Sequence, residues 1–325
     1  MKKTEVKPVK KSLVAYLIVL LLIMPVAVAF AQVIEAQVDL HSTDVDDKGF
    51  LLEGEDVYEN PDEGIWYYNS PSLRVEIKRY YDKSANLTWT EAEIFSDGSD
   101  VFRMTPKDSE HWMKVQDWPA AISKENGVVF SVNSDYAHTR IAQKSIVGVI
   151  VRDGKIISEK TRKKDANKFP NLDTLALFPD GDMKVFYADE HTAKEYIEMG
   201  AVDVLAFGPF LIRDGELNEA GLKKYGASKA PRTAVGMVEK GHYWAMMLEG
   251  RHDKSKGAGI SFLANKLYEK GCTVAMNLDG GQTATMVFMG KQIIHVGQTS
   301  AANASARKTA EVLGIGYSAE LANMD

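Results

Sequence analysis

Apolar residues recur at every second position along much of the chain, the spacing of strands with one buried face. Near the start of the globular part this holds for Trp66 and Tyr68 and again for Leu73, Val75 and Ile77. The polar break between these runs, at 69–71, predicts a turn, and residues 87–95 predict a further strand. The pattern therefore predicts a β-rich lead section over residues 57–124.

Downstream of residue 125, short apolar runs alternate with glycine-marked turns. Two segments have helical character instead: 192–199, where Thr192 and Glu195 have capping-box spacing, and 260–268, whose apolar residues share one face and which ends at Gly271. We predict an α+β fold with a mixed, largely antiparallel sheet system and a few packed helices. The strands are expected at 128–132, 146–152, 155–157, 175–178, 183–185, 202–207, 232–238, 243–248, 273–278, 285–289 and 292–296.

The N-terminus has the pattern of an export signal. Five lysines precede Leu13, and residues 13–30 then run for 18 positions without a charge. Ala29-Phe30-Ala31 resembles a signal-peptide cleavage site, and an uncleaved membrane anchor is the alternative. We expect 1–31 to be a signal peptide or an anchor helix, 32–56 a linker, and the rest to be extracellular or at the cell surface.

Charge and composition narrow the function further. Hydrophobic residues make up 45% of the 325 positions, enough for a sizeable core. The net charge is −6, and because the first 31 residues are basic, the remainder carries −10. Non-specific affinity for nucleic acid comes mainly from contacts between basic residues and phosphates. Because residues 32–325 are acidic, nucleic acid is not an expected partner. The single cysteine, Cys272, lies in an apolar run and is expected to be a buried thiol.

The sharpest motif is NLDGGQTATMVF at 277–288, where a buried strand ends in Asp279. Gly280 and Gly281 would let backbone N–H groups approach an anion, and Thr283 could hydrogen-bond a sugar or phosphate oxygen. A tight turn in which the aspartate bonds its own backbone is an equally good interpretation.

Three other segments carry polar groups at strand ends. FSVNSDYAHTR at 130–140 places Asn133, Asp135 and His138 after a strand, and the histidine is as readily structural as functional. APRTAVGM at 230–237 begins a strand with Arg232, which suits bidentate phosphate contact but is a common surface residue. WAMMLEGRHD at 244–253 offers Glu249 as an acid or base and Arg251 beside it, or an ion-paired loop.

The order of these segments resembles the phosphodiester glycosidase family over about residues 125–316. The motifs that carry the resemblance are the asparagine turn, GPFLIRDGE, PRTAVGM, the strand ending in EGR, GISFLANKLYEKG, NLDGGQTATMVF, and Arg307 in SARKTAEVLGIG. The lead section at 57–100 is similar to N-terminal strands of bacterial members. Gln282 stands where a third glycine is usual, which leaves the substrate open.

The resemblance implies hydrolysis of a sugar-1-phosphodiester at the glycosidic C1–O bond, in a phosphate-linked sugar or a wall polysaccharide. An oxocarbenium-like transition state needs a nearby carboxylate, for which Asp279 is the first candidate, followed by Glu249 and Asp135. No cofactor is expected. The implied substrate- and phosphate-binding residues are Asn133, His138, Arg232, Arg251, Asn277, Gly280, Gly281, Thr283 and Arg307.

Three alternatives stay open at this point. The implied binding residues could form a cleft that binds wall polysaccharide without hydrolysing it. Alternatively, the protein could be a glycosidase acting on neutral glycans, which would not need Arg232. Asp135, Glu249 and Asp279 could also hold Ca²⁺ or Mg²⁺, since these ions prefer oxygen ligands, although the spacing has no calcium-loop signature.

The export pattern generates a first test. Because basic residues precede the apolar run, cell fractionation should recover the protein outside the cytoplasmic membrane or in the medium. Replacing Leu17 and Leu20 by Arg should retain the chain inside. Recovery of soluble, full-length wild-type chain from the cytoplasm would contradict the interpretation.

Overall fold

This computed structural model of the protein describes residues 44–112, 114–136, 146–159, 172–226, 228–295 and 306–324. The chain separates into two compact units, Met1–Gly49 and Phe50–Asp325. The segment predicted as a signal or anchor lies outside the described residues. No helix in the described ranges has both the length and the apolar character needed to span a bilayer.

Strands dominate the second unit. In chain order the described strands are Asp56–Asn60 (β1), Ile65–Asn69 (β2), Leu73–Asp82 (β3), Leu87–Ser96 (β4), Arg103–Pro106 (β5), Val128–Asn133 (β6), Val149–Arg152 (β7), Lys155–Glu159 (β8), Asp173–Leu177 (β9), Met183–Phe186 (β10), Asp203–Phe207 (β11), Phe210–Arg213 (β12), Glu216–Leu217 (β13), Arg232–Glu239 (β14), His242–Leu248 (β15), Val274–Asn277 (β16), Met286–Phe288 (β17), Lys291–Gln292 (β18) and Glu311–Tyr317 (β19).

Helices are few and short. They are Pro119–Glu125 (α1), Ala193–Glu198 (α2), Glu219–Tyr225 (α3), Ile260–Glu269 (α4) and Ala319–Ala322 (α5), with a 3₁₀ turn at Gly281–Thr283. The capping box of α2 is confirmed, since Thr192 and Glu195 bond each other's backbone N–H. Helices α1 and α3 were not predicted, because seven residues are too few to show helical periodicity. The sequence features that could have indicated their starts are Pro119 in the first turn of α1 and Asn218 at the N-cap of α3.

The strands form three sheets. A nine-stranded sheet has the order β1-β2-β3-β4-β15-β14-β16-β12-β13, and two five-stranded sheets have the orders β10-β9-β11-β7-β8 and β18-β17-β6-β19-β5. Every recorded strand pairing within the described ranges is antiparallel. The predicted α+β class is confirmed.

The lead section is built into this architecture. Strand β4 pairs with β15 over seven residue pairs, so strands β1–β4 lie in the same sheet as β14, β15 and β16. Strand β5 likewise pairs with β19 near the C-terminus. Within the predicted linker, Phe50 and Leu51 are buried.

The largest hydrophobic cluster lies between sheets and takes side chains from all three, including Ile77 and Ile94 of the large sheet, Leu175 of β9, and Phe130 and Phe288 of the third sheet. A second cluster lies beneath α4, whose Ile260, Leu263, Ala264 and Leu267 face the large sheet as predicted. Cys272 belongs to this cluster and is a buried free thiol, as expected.

A buried ion pair connects two of the sheets. Arg152 at the end of β7 makes a bidentate contact with Glu311 of β19, with nitrogen–oxygen distances of 2.8 and 2.6 Å. The arginine also donates to the Val204 carbonyl of β11, and the Trp112 indole N–H donates to Glu311. The hydrogen bonds satisfy the carboxylate on both oxygens, which is what allows these charges to remain away from water.

This pair generates a stability test. Arg152→Met leaves Glu311 buried without its counter-charge, so we expect the free energy of unfolding to fall by about 3–5 kcal/mol, measured by chemical denaturation. The matched control is Arg213→Met, which breaks the more exposed pair with Glu190 and should cost less than about 1 kcal/mol. Equal losses in both variants would show that the buried pair is not a special link between sheets.

Candidate functional site

The candidate site lies where the ends of three strands meet. Strands β14 and β16 are antiparallel neighbours, so the start of β14 and the end of β16 lie at the same end of the sheet. Strand β6 of the third sheet ends beside them, since the Asp279 N–H donates to the Ser134 carbonyl at 3.2 Å. Strand β17 pairs with β6, so the segments 128–133, 232–238, 273–279 and 285–289 meet at this point.

Asn133 is the junction of this meeting point. Its side-chain N–H₂ group donates to the Asp279 carbonyl at 2.8 Å, and its side-chain oxygen accepts the Thr285 N–H at 2.9 Å. The residue is fully buried. Asn133 therefore fixes both ends of the segment 279–285 rather than facing a ligand.

A cavity of about 410 Å³ opens at this junction. Its lining combines three arginines, one carboxyl group, a glycine pair and two aromatic rings. The lining residues are Tyr136, Phe207, Ser228, Ala230, Arg232, Arg251, Asp279, Gly280, Gly281, Gln282, Thr283 and Arg307.

Asp279 is the one carboxyl group in this described lining. Burial raises its pKa from 3.8 to about 6, and the nearby charge of Asp135 adds to the rise. The Thr283 hydroxyl, the charge of Arg307 and the Gly280 N–H, 2.9 Å from Oδ1, act in the opposite direction. At neutral pH the group is mostly ionised, yet it protonates within the range where many enzymes work.

The two glycines serve a purpose different from the predicted one. The Gly280 N–H donates to the Asp279 carboxylate and the Gly281 N–H to the Pro231 carbonyl, so both already have protein acceptors. This corrects the expectation of a backbone anion cradle. A Cβ at Gly280 would lie 2.8 Å from the Pro231 oxygen, and one at Gly281, whose φ is +63°, would lie 3.3 Å from the Arg251 guanidinium. The glycines let the turn pack against strand β14 and the arginines.

The arginines supply the donors instead. Arg232 donates to the Ser228 carbonyl at 2.8 Å, and its pKa is lowered by burial and by the charge of Arg251. Among the described residues, the buried Nε atoms of Arg232 and Arg307 have no hydrogen-bond partner. Unpaired buried donors are costly, so an oxyanion that pairs with them and relieves the repulsion between like charges would bind well.

Arg251 reaches the cavity from an uncommon backbone conformation. Its φ is +62°, in the left-handed region that non-glycine residues rarely adopt. Such a conformation costs on the order of 1 kcal/mol or more and is found most often at functional sites. The Arg251 guanidinium lies next to the Gly280-Gly281 turn.

Glu249 does not join Asp279 in the lining. It is buried, accepts the His295 backbone N–H at 3.1 Å, and lies 3.1 Å from the His252 ring nitrogen and 4.0 Å from Arg79. Burial raises the pKa of Glu249 and lowers the pKa of both histidines. The predicted second catalytic carboxylate is therefore an anchor beneath the Arg251 turn.

Two other predicted residues also lie behind the cavity wall. Asp135 is buried and accepts the Ala206 N–H at 2.9 Å, with Arg152 3.9 Å away. The Asn277 side chain donates to the Gly208 carbonyl at 2.9 Å. Both residues hold the segment around 206–208 in place. His138 lies outside the described residues.

Sequence reasoning missed part of the lining. Tyr136 and Phe207 contribute rings whose centroids are 4.4 Å apart, and Ser228, Ala230 and Gln282 complete the wall. Tyr136 directly follows the motif carboxylate Asp135, and Phe207 is the last residue of the buried strand β11. These positions were the only features of the sequence that could have indicated the two rings. Their proximity could not be predicted, because it depends on how β6 and β11 of different sheets meet.

The described residues contain no group of three or more His, Cys, Asp or Glu side chains that could hold a metal ion. The arrangement considered for Ca²⁺ or Mg²⁺ is accordingly not formed, since Asp135 and Glu249 are engaged elsewhere and Asp279 alone faces the cavity.

Fold and cavity together define an α+β protein in which three arginines and one carboxyl group line the same cavity. The sequence model of the phosphodiester glycosidase family matches residues 126–316, more than half of the chain. The chain belongs to the phosphodiester glycosidase family, which confirms the resemblance.

Individual proteins resemble the chain in sequence or in fold. The chain is 28% identical over 153 residues to the SPbeta prophage-derived uncharacterized protein YomE of Bacillus subtilis (strain 168), a match covering 46% of this chain and 23% of that protein. The catalytic domain of zebrafish N-acetylglucosamine-1-phosphodiester alpha-N-acetylglucosaminidase, auto-inhibited by its pro-peptide, has the same fold, with a TM-score of 0.59, 19% identity, and coverage of 81% of this chain and 88% of that one. A hypothetical protein from Synechocystis aligns with a TM-score of 0.53, 10% identity, and coverage of 77% and 63%.

The raised pKa of Asp279 generates a stability test. Because the folded state holds this proton more tightly than the unfolded state, the contribution is fully present below the unfolded pKa and is lost as pH rises through about 6. Asp279→Asn should therefore be more stable than wild type at neutral pH by about 1–3 kcal/mol, with the difference vanishing near pH 4. The readout is denaturant unfolding across this range, with exposed Asp214→Asn as the control. A pH-independent difference would contradict the assigned pKa.

Proposed function

We propose that this protein is an exported hydrolase that cleaves the glycosidic C1–O bond of a sugar-1-phosphodiester in cell-surface or extracellular polysaccharide. The observation that carries the proposal is the single cavity in which Arg232, Arg251 and Arg307 surround the carboxyl group of Asp279. Such a site suits a ligand that is anionic at one end and develops positive charge at the other.

Binding is the task of the arginines. A phosphodiester carries one negative charge and two non-bridging oxygens, which match the planar fork of a guanidinium. The guanidinium groups of Arg232 and Arg307, which line the cavity, would donate to these oxygens on binding. The phosphate is thereby placed beside the Gly280-Gly281 turn, which lies close to the guanidinium groups of Arg232 and Arg251.

Bond cleavage follows from the position of Asp279. As the C1–O bond breaks, the electron pair leaves with the phosphate oxygen and positive charge develops at C1. The Asp279 carboxylate stabilises that charge, while the arginines stabilise the departing phosphate. A water molecule then adds to C1 and gives up one proton to solvent, so the products are the free sugar and a phosphate monoester. A phosphate leaving group needs little protonation, so one carboxylate in the described lining is compatible with this chemistry.

The pKa of Asp279 predicts the pH profile. Only the ionised carboxylate stabilises developing positive charge, so kcat/KM should rise with pH through about 6, the pKa assigned to this group. Activity should be measured as release of free sugar from synthetic N-acetylglucosamine-1-phosphodiesters by the purified ectodomain.

Two substitutions test the proposed roles. Asp279→Asn keeps the side-chain shape and should cut kcat by on the order of a hundredfold or more, whereas exposed Asp214→Asn should not. Arg232→Lys loses the planar fork, so kcat/KM for the phosphodiester should fall at least about tenfold while a neutral aryl glycoside is affected much less. Arg213→Lys, at a half-buried arginine outside the described lining, is the matched control.

The same measurements separate the rival functions. Unchanged turnover in Asp279→Asn would end the mechanism, and equal losses on both substrates would make Arg232 a structural residue. Tight binding of a sugar phosphate without hydrolysis by the wild type would instead support a wall-binding module. Preference for the neutral glycoside would indicate an ordinary glycosidase.

A further inference from the structure

Two aromatic rings face the arginines in the candidate cavity. Tyr136 and Phe207 are each partly exposed, their centroids are 4.4 Å apart, and their planes are tilted by 46°. Both line the same cavity as Arg232, Arg251 and Arg307. Resting on the proposed function, we infer that Tyr136 and Phe207 form a sugar-stacking wall that receives the C–H face of a pyranose ring while the arginines hold its phosphate.

The chemistry of the lining favours this occupant. An aromatic ring has a negative face and a positive edge, and the axial C–H groups of a pyranose carry small positive charges that suit the ring face. A bare phosphate needs only donors, so aromatic surface beside the arginines indicates a ligand with an apolar side. Ser228, Gln282 and Thr283 offer hydroxyl and amide groups for the sugar hydroxyls.

The wall is held rigidly on both sides. Tyr136 packs against the small cluster of Val147, Leu172 and Ala188, and Phe207 packs against the main core. The two rings thus rest on different hydrophobic clusters, so a substitution at one leaves the cluster beneath the other unchanged.

Asp135 is the positioning residue that connects the two ring-bearing segments. It directly precedes Tyr136, and its carboxylate accepts the N–H of Ala206, the residue before Phe207, at 2.9 Å. On the other side of Phe207, Gly208 has a φ of +86°, and its carbonyl accepts from Asn277 at 2.9 Å. A pre-organised wall of this kind lowers the entropy lost on binding.

Calorimetric titration of the purified ectodomain with three probes tests the wall: glucose 1-phosphate, inorganic phosphate and uridine 5′-monophosphate. Wild type should bind glucose 1-phosphate at least about tenfold more tightly than phosphate. Phe207→Leu, which keeps an apolar side chain without a ring face, should weaken glucose 1-phosphate by roughly tenfold and phosphate by less than about twofold. Phe207→Tyr should keep the preference, and Tyr268→Leu, at an exposed tyrosine outside the lining, should change neither affinity.

Three outcomes would overturn the inference. They are equal affinity of wild type for glucose 1-phosphate and phosphate, equal losses for both probes in Phe207→Leu, and tighter binding of uridine monophosphate, which would make the wall a nucleobase platform. If Phe207→Leu does not fold, Tyr136→Leu gives the same comparison on the other cluster. Because the probes report binding alone, a protein that binds glucose 1-phosphate as expected but hydrolyses no phosphodiester would refute the proposed catalysis and keep the wall.

Discussion

The site depends on one buried amide, the side chain of Asn133. Strand β6 belongs to a different sheet from β14 and β16, and hydrophobic packing between sheets does not by itself fix their strand ends to within a hydrogen-bond length. Asn133 does so by binding the Asp279 carbonyl on one side and the Thr285 N–H on the other. Losing it would leave two buried backbone groups unpaired, and such groups are costly. The position of the carboxyl group relative to the arginines follows from this bond.

The sequence was most informative at strand ends. Asp279, the glycine pair and Thr283 could be predicted as neighbours, because they follow one another after a buried strand. Arg232 was placed beside them only by the family resemblance. Roles were harder to predict than places. Glu249 ends a strand in the same way, yet its side chain is directed to His252 and the His295 backbone. The direction of a side chain at a strand end depends on neighbours from distant parts of the chain, which no local pattern contains.

The glycine turn illustrates the same limit. Two glycines after a carboxylate are typical of anion-binding loops, but here both N–H groups are taken by protein acceptors. What glycine provides is space against the Pro231 carbonyl and the Arg251 guanidinium. The positive charge of the site thus comes from side chains contributed by three separate segments. The cavity is consequently cationic in a chain whose overall charge is −6.

The pairing of early strands with late ones affects how the chain can fold. Strand β4 pairs with β15, and β5 pairs with β19. Strand β19 lies about two hundred residues after β5 in the chain. Contacts between such distant segments form slowly, because a long loop must close before they contribute. During synthesis, the first hundred residues can form only their local hairpins. Such a chain cannot complete its sheets until its last strand has been synthesised, and until then it stays largely unfolded. For a chain exported as proposed this delay would be an advantage, because a largely unfolded polypeptide can pass through a membrane channel.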